Sequence, residues 1–450
     1  MPQSIVASDG QNVSEQVVWR TSTLVAFRFA FCYLTLYMLY VLGNEQELVG
    51  YFVSGHLANS FVDPLWHRVV PWVGKHILHP STDITIFTNG SGDTTYDYVL
   101  VLCELFVAAV GTVIWSVLDR KRSNYRRLYE WLTLAVALVL AMEMFSYGMD
   151  KLIPVRFGSL SLARLSKRVG EFSPMGLLWT FMAASKPYTI FAGFAEVLAG
   201  VLLLWPRLRT LGALVAIGAM SQVFALDMSY DVPVKLGSLH YLLMAAFLLV
   251  PDGKRLLNVL VLNRTAMPRT FTPLSNRKWV NRAAVILPMV SGVVWLAMLT
   301  RFSLKRYAIE NPAAVGQSPL YGVWVVDDFS VTENSGPLLT DKLARQMHIG
   351  ISDTPSEFIF DSPGALIIQF SNGVLDYTDV AIDQAKTDMT VSDEGDVNWK
   401  TDFAYQRSGD RLTLRGHMNG DAVDLRLHRL DLANDRLTSR GFHWINERPF

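Results

Sequence analysis

Seven apolar stretches of roughly 18 to 22 residues, the length that ~30 Å of hydrocarbon requires, run through the first two thirds of the chain. They lie near residues 22–43, 98–118, 129–149, 187–205, 209–227, 236–250 and 283–302. Backbone groups in lipid must be satisfied within the segment itself, so each stretch is expected to be a transmembrane helix. The sixth is short, and gains length if it starts at Pro233, because proline is tolerated in a first helical turn. Another apolar stretch, Met175 to Ala184, is too short to span and reads as an interfacial or re-entrant helix. With 450 residues, 51% hydrophobic and only 18% charged, the chain lacks the charge to cover one soluble globule of that size.

The formal charge of zero hides a division: residues 321–450 carry 21 acidic against 12 basic residues, and the first 320 carry 19 against 28. The Lys and Arg residues lie between apolar runs, where they meet phospholipid headgroups and set orientation, so no nucleic-acid partner is expected. Arg120, Lys121, Arg122, Arg126 and Arg127 mark one cytoplasmic link, Arg207 and Arg209 another, and Lys254 to Lys278 a third. Seven spans then place the amino terminus in the cytoplasm and the tail outside. The segment Asp150 to Lys186 disagrees, since it holds Lys151, Arg156, Arg164, Lys167 and Arg168 yet falls outside by alternation. Those cations are expected to serve a purpose there.

Both cysteines, Cys32 and Cys103, sit inside apolar runs, which gives neither a disulfide framework nor a thiolate metal site. The first 20 residues are polar, with Asp9, Asn12, Ser14 and Glu15, and lack the order of a cleavable signal peptide. The organisation expected is a cytoplasmic segment 1–21, two spans with an extracytoplasmic loop in 22–128, four spans in 129–250, a basic loop and seventh span in 251–306, a linker 307–318 and a soluble domain 319–450.

Charges inside apolar spans are costly and usually face the bundle interior, which singles out Glu143, Glu196 and Asp227. Glu143, Tyr147, Asp150 and Lys151 share one helix face, either as an ion pair fixing two helices or as a ligand or proton site. Glu196 lies between Gly193 and Gly200, on a face where another helix can approach closely, with Lys151, Arg156 or Lys235 as candidate partners. Asp227, Tyr230 and Asp231 end the fifth span, and Lys235 opens the sixth. His240 is the one histidine in any span, so a haem held by two helix histidines is not expected, and no flavin or metal motif is present. His56, His67, His76 and His79, with Trp66 and Trp72 nearby, read as an interfacial amphipathic helix rather than a zinc site. Asp93, Tyr96 and Asp97 either line the outer mouth of the bundle or follow the helix-dipole preference for acids.

Beyond Arg306 the pattern changes to short alternating runs, Val323–Val326, Ala365–Ile368 and Leu412–Leu414, separated by turn sequences. An antiparallel barrel or sandwich is expected. Asn419-Gly420 is the clearest hairpin signal, and residues 338–347 read as one helix.

The order Met144-Phe-Ser-Tyr-Gly148-Met-Asp-Lys151, then Gly193-Phe-Ala-Glu196-Val-Leu-Ala-Gly200, then Arg209 opening the next helix resembles the DoxX-like membrane proteins over residues 129–250. That resemblance implies a four-helix core and, as in some members, a membrane subunit of an oxidoreductase system binding a quinone or similar lipophilic redox molecule in a bacterial inner membrane. The molecule is expected to bind near Glu196, Lys151 and Asp227; with no dinucleotide loop, cysteine pair or axial histidine pair in the sequence, electrons would come from a redox partner protein or from the bound molecule itself. In the tail, Gly322-Val-Trp324 on the first strand and Arg440 before a last strand at Phe442 to Ile445 resemble the lipocalin pattern. This implies an eight-stranded barrel closed at one end by Trp324 with Arg440 packed across it. The second functional reading is a transfer protein, in which the bundle takes a lipophilic molecule from membrane lipid and the barrel receives it. Cut near Gln317, the tail should unfold cooperatively as a β-rich soluble fragment with Trp324, Phe329, Ile367, Phe370, Leu412, Leu414 and Trp444 as its core. Circular dichroism of the fragment checks this, and an unfolded fragment contradicts it.

Overall fold

The computed structural model describes residues 18–44, 63–80, 84, 86, 91–268, 272–310, 318–332, 355–371, 375–393, 400–418, 421–432 and 436–440. The chain divides into two compact units, Met1–Ser146 with Ala195–Leu296, and Tyr147–Phe194 with Ala297–Phe450. Its helices are α1 (Thr21–Asn44), α2 (Asp63–Val73), α3 (Thr95–Leu118), α4 (Arg126–Leu152), α5 (Leu162–Ser166), α6 (Pro174–Ala184), α7 (Lys186–Leu204), α8 (Arg209–Ser229), α9 (Lys235–Leu249), α10 (Gly253–Leu256), α11 (Lys278–Glu310) and α12 (Arg436–Ser439). Among the described residues seven helices are long and apolar enough to cross a membrane, and they match the seven stretches read from the sequence.

The sixth span differs from expectation in where it gains length. It begins at Lys235, not Pro233, and continues to Val261. Pro251 does not end it, because the proline falls at the start of a 3₁₀ turn, Val250–Asp252, where its missing N–H costs no hydrogen bond. Residues 174–184 form the short apolar helix α6, capped by Ser173, whose hydroxyl accepts from the Gly176 N–H at 3.1 Å, with Pro174 in the first turn.

Small residues let α7 approach α4 closely. A Cβ placed on Gly193 would lie 2.6 Å from the Gly148 carbonyl oxygen and the Leu152 nitrogen, and one on Gly200 would lie 3.0 Å from the Ala141 carbonyl oxygen and closer still to Phe145. Close backbone approach is the main source of helix association in lipid, where apolar side chains gain nothing by leaving the tails.

Polar ties at the helix ends fix which ends lie together. In the first unit, Arg28 of α1 donates to Ser116 Oγ at 3.0 Å and to the Asp119 carbonyl at 2.8 Å, both at the end of α3, and to the Tyr125 hydroxyl at 3.0 Å just before α4. Thr210, opening α8, donates to Asp252 beyond α9. In the second unit, Ser303 of α11 donates to Asp150 of α4 at 3.0 Å, and Arg306 pairs with the same carboxylate at 3.4 Å. The third and seventh spans therefore end together, as strict alternation requires.

The tail is a closed antiparallel barrel of eight strands in sequence order, β1 (Gly322–Thr332), β2 (Pro355–Ser362), β3 (Ala365–Phe370), β4 (Leu375–Asp383), β5 (Asp388–Asp393), β6 (Lys400–Ser408), β7 (Arg411–Met418) and β8 (Asp421–Arg429). Met418 pairs with Asp421, which leaves room for the two-residue hairpin link expected at Asn419-Gly420, itself outside the described residues. β8 pairs with β1 and closes the eight-stranded barrel before Arg440, and the strand expected at Phe442 to Ile445 lies outside the described residues. The helix expected at 338–347 falls outside them too. Trp324, Phe358, Phe360, Leu366, Ile368, Phe370, Phe403, Leu412 and Leu414 fill the interior. Ile367 is a correction: side chains alternate along a strand, so with Leu366 and Ile368 inside, Ile367 faces outward.

That outward face is covered. Leu162 and Ala163 of α5 pack with Val323 and Ile359, flanked by Tyr321, Ile367, Leu430 and Leu432, and the Leu162 N–H donates to Asp361 Oδ1 at 3.3 Å. The basic loop that disagreed with the charge rule is thus the barrel's docking segment. Its cations hold the loop in shape: Arg164 donates to the Phe157 and Ser159 carbonyls at 2.6 and 3.1 Å, Lys167 lies over Phe172, and Arg156 lies over Tyr147. Burial in this contact pushes the Glu357 and Asp361 carboxyls up from the ordinary carboxylate range, an effect that the neighbouring Ser166 and the Leu162 N–H, respectively, offset in part.

The glycine seam makes a direct test. Gly193→Ala should lower the melting temperature in detergent, because its Cβ meets backbone atoms on α4. Gly218→Ala on α8 meets nothing within 4 Å, and should be neutral or stabilising by up to ~1 kcal/mol. Equal effects at the two positions would remove the seam from the account.

Candidate functional site within the membrane bundle

Four carboxylates lie buried in four spans of the first unit: Glu104 on α3, Glu143 on α4, Glu196 on α7 and Asp227 on α8, each no more than 4% exposed. Two consecutive residues of α9 bring polar side chains from two other spans beside them. The Tyr241 hydroxyl donates to Glu143 Oε2 at 2.7 Å. His240 Nε2 lies 2.6 Å from the Tyr33 hydroxyl of α1, and its Nδ1 lies 2.6 Å from the Leu236 carbonyl. A carbonyl only accepts, so Nδ1 carries the proton. In the neutral ring, Nε2 then accepts from Tyr33. The imidazole also stacks on Tyr37, with centroids 4.1 Å apart and planes 11° from parallel. A ring fixed on two nitrogens and one face is held in one orientation, which is what a proton-handling or ligand-binding histidine requires.

The other residues singled out by the sequence separate into distinct roles. Lys235 and Asp231 belong to a helix-start clamp: Asp93 Oδ2 and Oδ1 accept the Lys235 and Leu236 N–H groups at 2.7 and 2.9 Å, while Lys235 Nζ reaches Asp93 at 3.6 Å and Asp231 at 2.9 Å. The residue before α9, Val234, offers no side-chain cap, so a carboxylate from 142 residues upstream does that work. Asp97 completes a capping box with Thr94 at the start of α3. Glu143, Tyr147 and Asp150 share a face of α4 but turn to different partners, Tyr241, Arg156, and Ser303 with Arg306. Lys151 is 8% exposed, with its Cβ against Gly193. Glu196 is buried between the two seam glycines. Asp227 accepts the Val232 N–H on its backbone carbonyl at 3.0 Å, and Tyr230 ends α8.

His76 continues the α2 segment as the interfacial reading expects, stacked on Trp72 and bonded to its carbonyl at 2.9 Å, and His56 lies outside the described residues. In the barrel, the Trp324 indole donates to the Leu320 carbonyl at 2.8 Å, and the Arg407 guanidinium of β6 lies over its ring at 5.5 Å. Arg440 directly follows α12.

Two charged residues of the spans carry weight that the sequence reading missed. Arg28, 4% exposed, joins three helix ends. Glu104, 1% exposed, has no hydrogen-bond partner for either carboxylate oxygen among the described residues. Each is the single charge within the apolar part of its span, which was the available signal.

The Asp93 clamp predicts that Asp93→Ala destabilises the bundle by about 1–2 kcal/mol, the usual cost of losing a helix cap. Thermal unfolding in detergent reads this out, and an unchanged melting temperature would show the clamp to be idle.

No protein-family model matches the chain, and no solved structure matches it. It is 30% identical over 122 residues to the uncharacterised protein YwoB of Bacillus subtilis, a stretch that is 27% of this chain and 77% of that protein. Over that stretch, the chain belongs to the same family as YwoB.

Proposed function

We propose that this protein is the membrane subunit of an oxidoreductase system, binding a quinone or similar lipophilic redox molecule within the bundle. The observation that carries the reading is the pair of neighbours on α9, His240 and Tyr241, each hydrogen-bonded to a side chain from another span, Tyr33 and Glu143. A quinone accepts hydrogen bonds at its carbonyls, and its reduced form donates them from hydroxyls. A site for it needs groups that can do both, and Tyr and His are such groups. Buried Glu196 and Asp227 add acidic groups in the same unit. The electrons come from a redox partner protein or from the bound molecule itself, because the sequence offers no dinucleotide loop, cysteine pair or axial histidine pair. The DoxX-like motifs support the same assignment. The same resemblance supports a bacterial inner membrane, and the basic loops between the second and third and the sixth and seventh spans support an amino terminus in the cytoplasm with the barrel outside.

A transfer protein for a non-redox lipid is the second reading, favoured by the closed apolar barrel. Mass spectrometry of molecules extracted from mildly purified protein distinguishes the two. A quinone should co-purify, and His240→Gln and Tyr241→Phe should each reduce its retention by about tenfold, equivalent to ~1.4 kcal/mol. Retained non-redox lipid, unaffected by either change, sinks the quinone reading.

Orientation is tested separately with Ser408→Cys, an exposed position on β6. An impermeant thiol reagent should label it while the inner membrane is intact. Labelling only after that membrane is permeabilised reverses the assignment.

A further inference from the structure

We infer that the outward side of α2 binds anionic phospholipid, with Leu65 and Trp72 at the boundary of the acyl chains and Arg68 and Lys75 on the headgroup phosphates. The inward side fixes the depth of the helix. Trp66 and Val70 are buried against Tyr96, Val99, Leu100 and Cys103 of α3, with Val69, Val73 and Tyr40 packed around them. At 1.5 Å per residue those α3 side chains lie within about 12 Å of the start of the second span. Tyr40 stands near the end of α1, so α2 crosses the ends of two spans. That is the level at which spans pass from hydrocarbon to headgroups.

Leu65, Arg68, Trp72 and Lys75 follow one another at spacings of three and four residues, which sets them in one stripe. All four are exposed, Leu65 at 57% and Trp72 at 56%. Apolar and cationic side chains thus alternate along the outward side, the pattern that meets acyl chains and phosphates together. His76 stacks on Trp72 and bonds its carbonyl at 2.9 Å, which holds the indole along the helix. From Pro64 to Pro80 the chain has Arg68, Lys75 and three histidines, and no acidic residue. The acids at the start of α3 are engaged elsewhere, Asp93 by the Lys235 and Leu236 N–H groups and Asp97 by Thr94. Among the described residues no ion pair or hydrogen bond occupies the Arg68 or Lys75 side chain. Two unoccupied cations beside an exposed indole select by charge: a zwitterionic headgroup brings its own ammonium towards them, whereas a net-negative headgroup brings only attraction. The preference is independent of any redox molecule in the bundle.

Photocrosslinking from the outward stripe tests this in the full chain. The variant Leu65→p-benzoylphenylalanine is reconstituted in vesicles of phosphatidylcholine and phosphatidylglycerol at about three to one and illuminated, and the lipid adducts are counted by mass spectrometry. The ratio of phosphatidylglycerol to phosphatidylcholine adducts should exceed the bilayer ratio by about fivefold, and adding Arg68→Gln with Lys75→Gln should return it to the bilayer ratio. Adducts at the bilayer ratio without those two changes, or an enrichment that survives them, overturn the site. So does a crosslink to protein in place of lipid, or no crosslink at all. Should the charge variant fail to insert, salt decides with Arg68 and Lys75 intact: at about 1 M, where the Debye length falls to ~3 Å, enrichment cut to about half or less supports the site, and undiminished enrichment overturns it.

Discussion

A polar side chain in hydrocarbon costs free energy until another group meets it, and the arrangement of the spans in this protein follows from where those meetings occur. Lipid tails are as apolar as leucine, so apolar contact between spans confers little preference for one neighbour over another. Arg28 joins the start of the first span to the end of the second and the start of the third. Asp93 joins the start of the second to the start of the sixth. Tyr33 with His240, and Glu143 with Tyr241, tie the second turn of the sixth span to the first and the third. The Gly193–Gly200 face then sets how closely α7 approaches α4. A few directional contacts thus choose the neighbours, and close packing completes the choice.

The barrel is governed by the opposite solvent. Water surrounds it, so burial of apolar surface is worth ~25 cal/mol per Å², and alternate residues of every strand supply that surface. Trp324 shows how the end of such a barrel is finished, with its ring enclosed, its N–H given to Leu320 and a guanidinium from Arg407 above it. The outer face would ordinarily be left to water, yet Val323 and Ile359 are buried there by α5. Two adjacent strands carry apolar residues on both faces because both faces have a partner.

The spans were legible in the sequence because transmembrane helices are read from length and hydropathy, quantities that need no knowledge of neighbours. The alternating strands were legible for the same reason. Lys235 was not: its opening position suggested a partner for a buried acid, but its partner is Asp93, far upstream in sequence and fixed only by the fold. Arg28 and Glu104 were missed because the groups around each, from other helices, are brought there only by the fold. Arg407 was missed because nothing in β6 marks which residue stands over the barrel end. Closure of the barrel by pairing of β8 with β1 was likewise invisible to local pattern. Local pattern thus located the elements, and long-range pairing assigned the polar groups their partners.

The contact between α5 and the barrel also sets an order of assembly. Leu162 and Ala163 are made early, whereas the surface that covers them exists only once β8 has paired with β1, near the end of the chain. At a synthesis rate of ~5–20 residues per second, the interval is on the order of tens of seconds. For that time a short apolar helix waits uncovered while the remaining spans insert. Barrel closure and docking then follow synthesis of all seven spans, and any lesion that delays closure leaves α5 open to whatever else binds apolar segments on that side of the membrane.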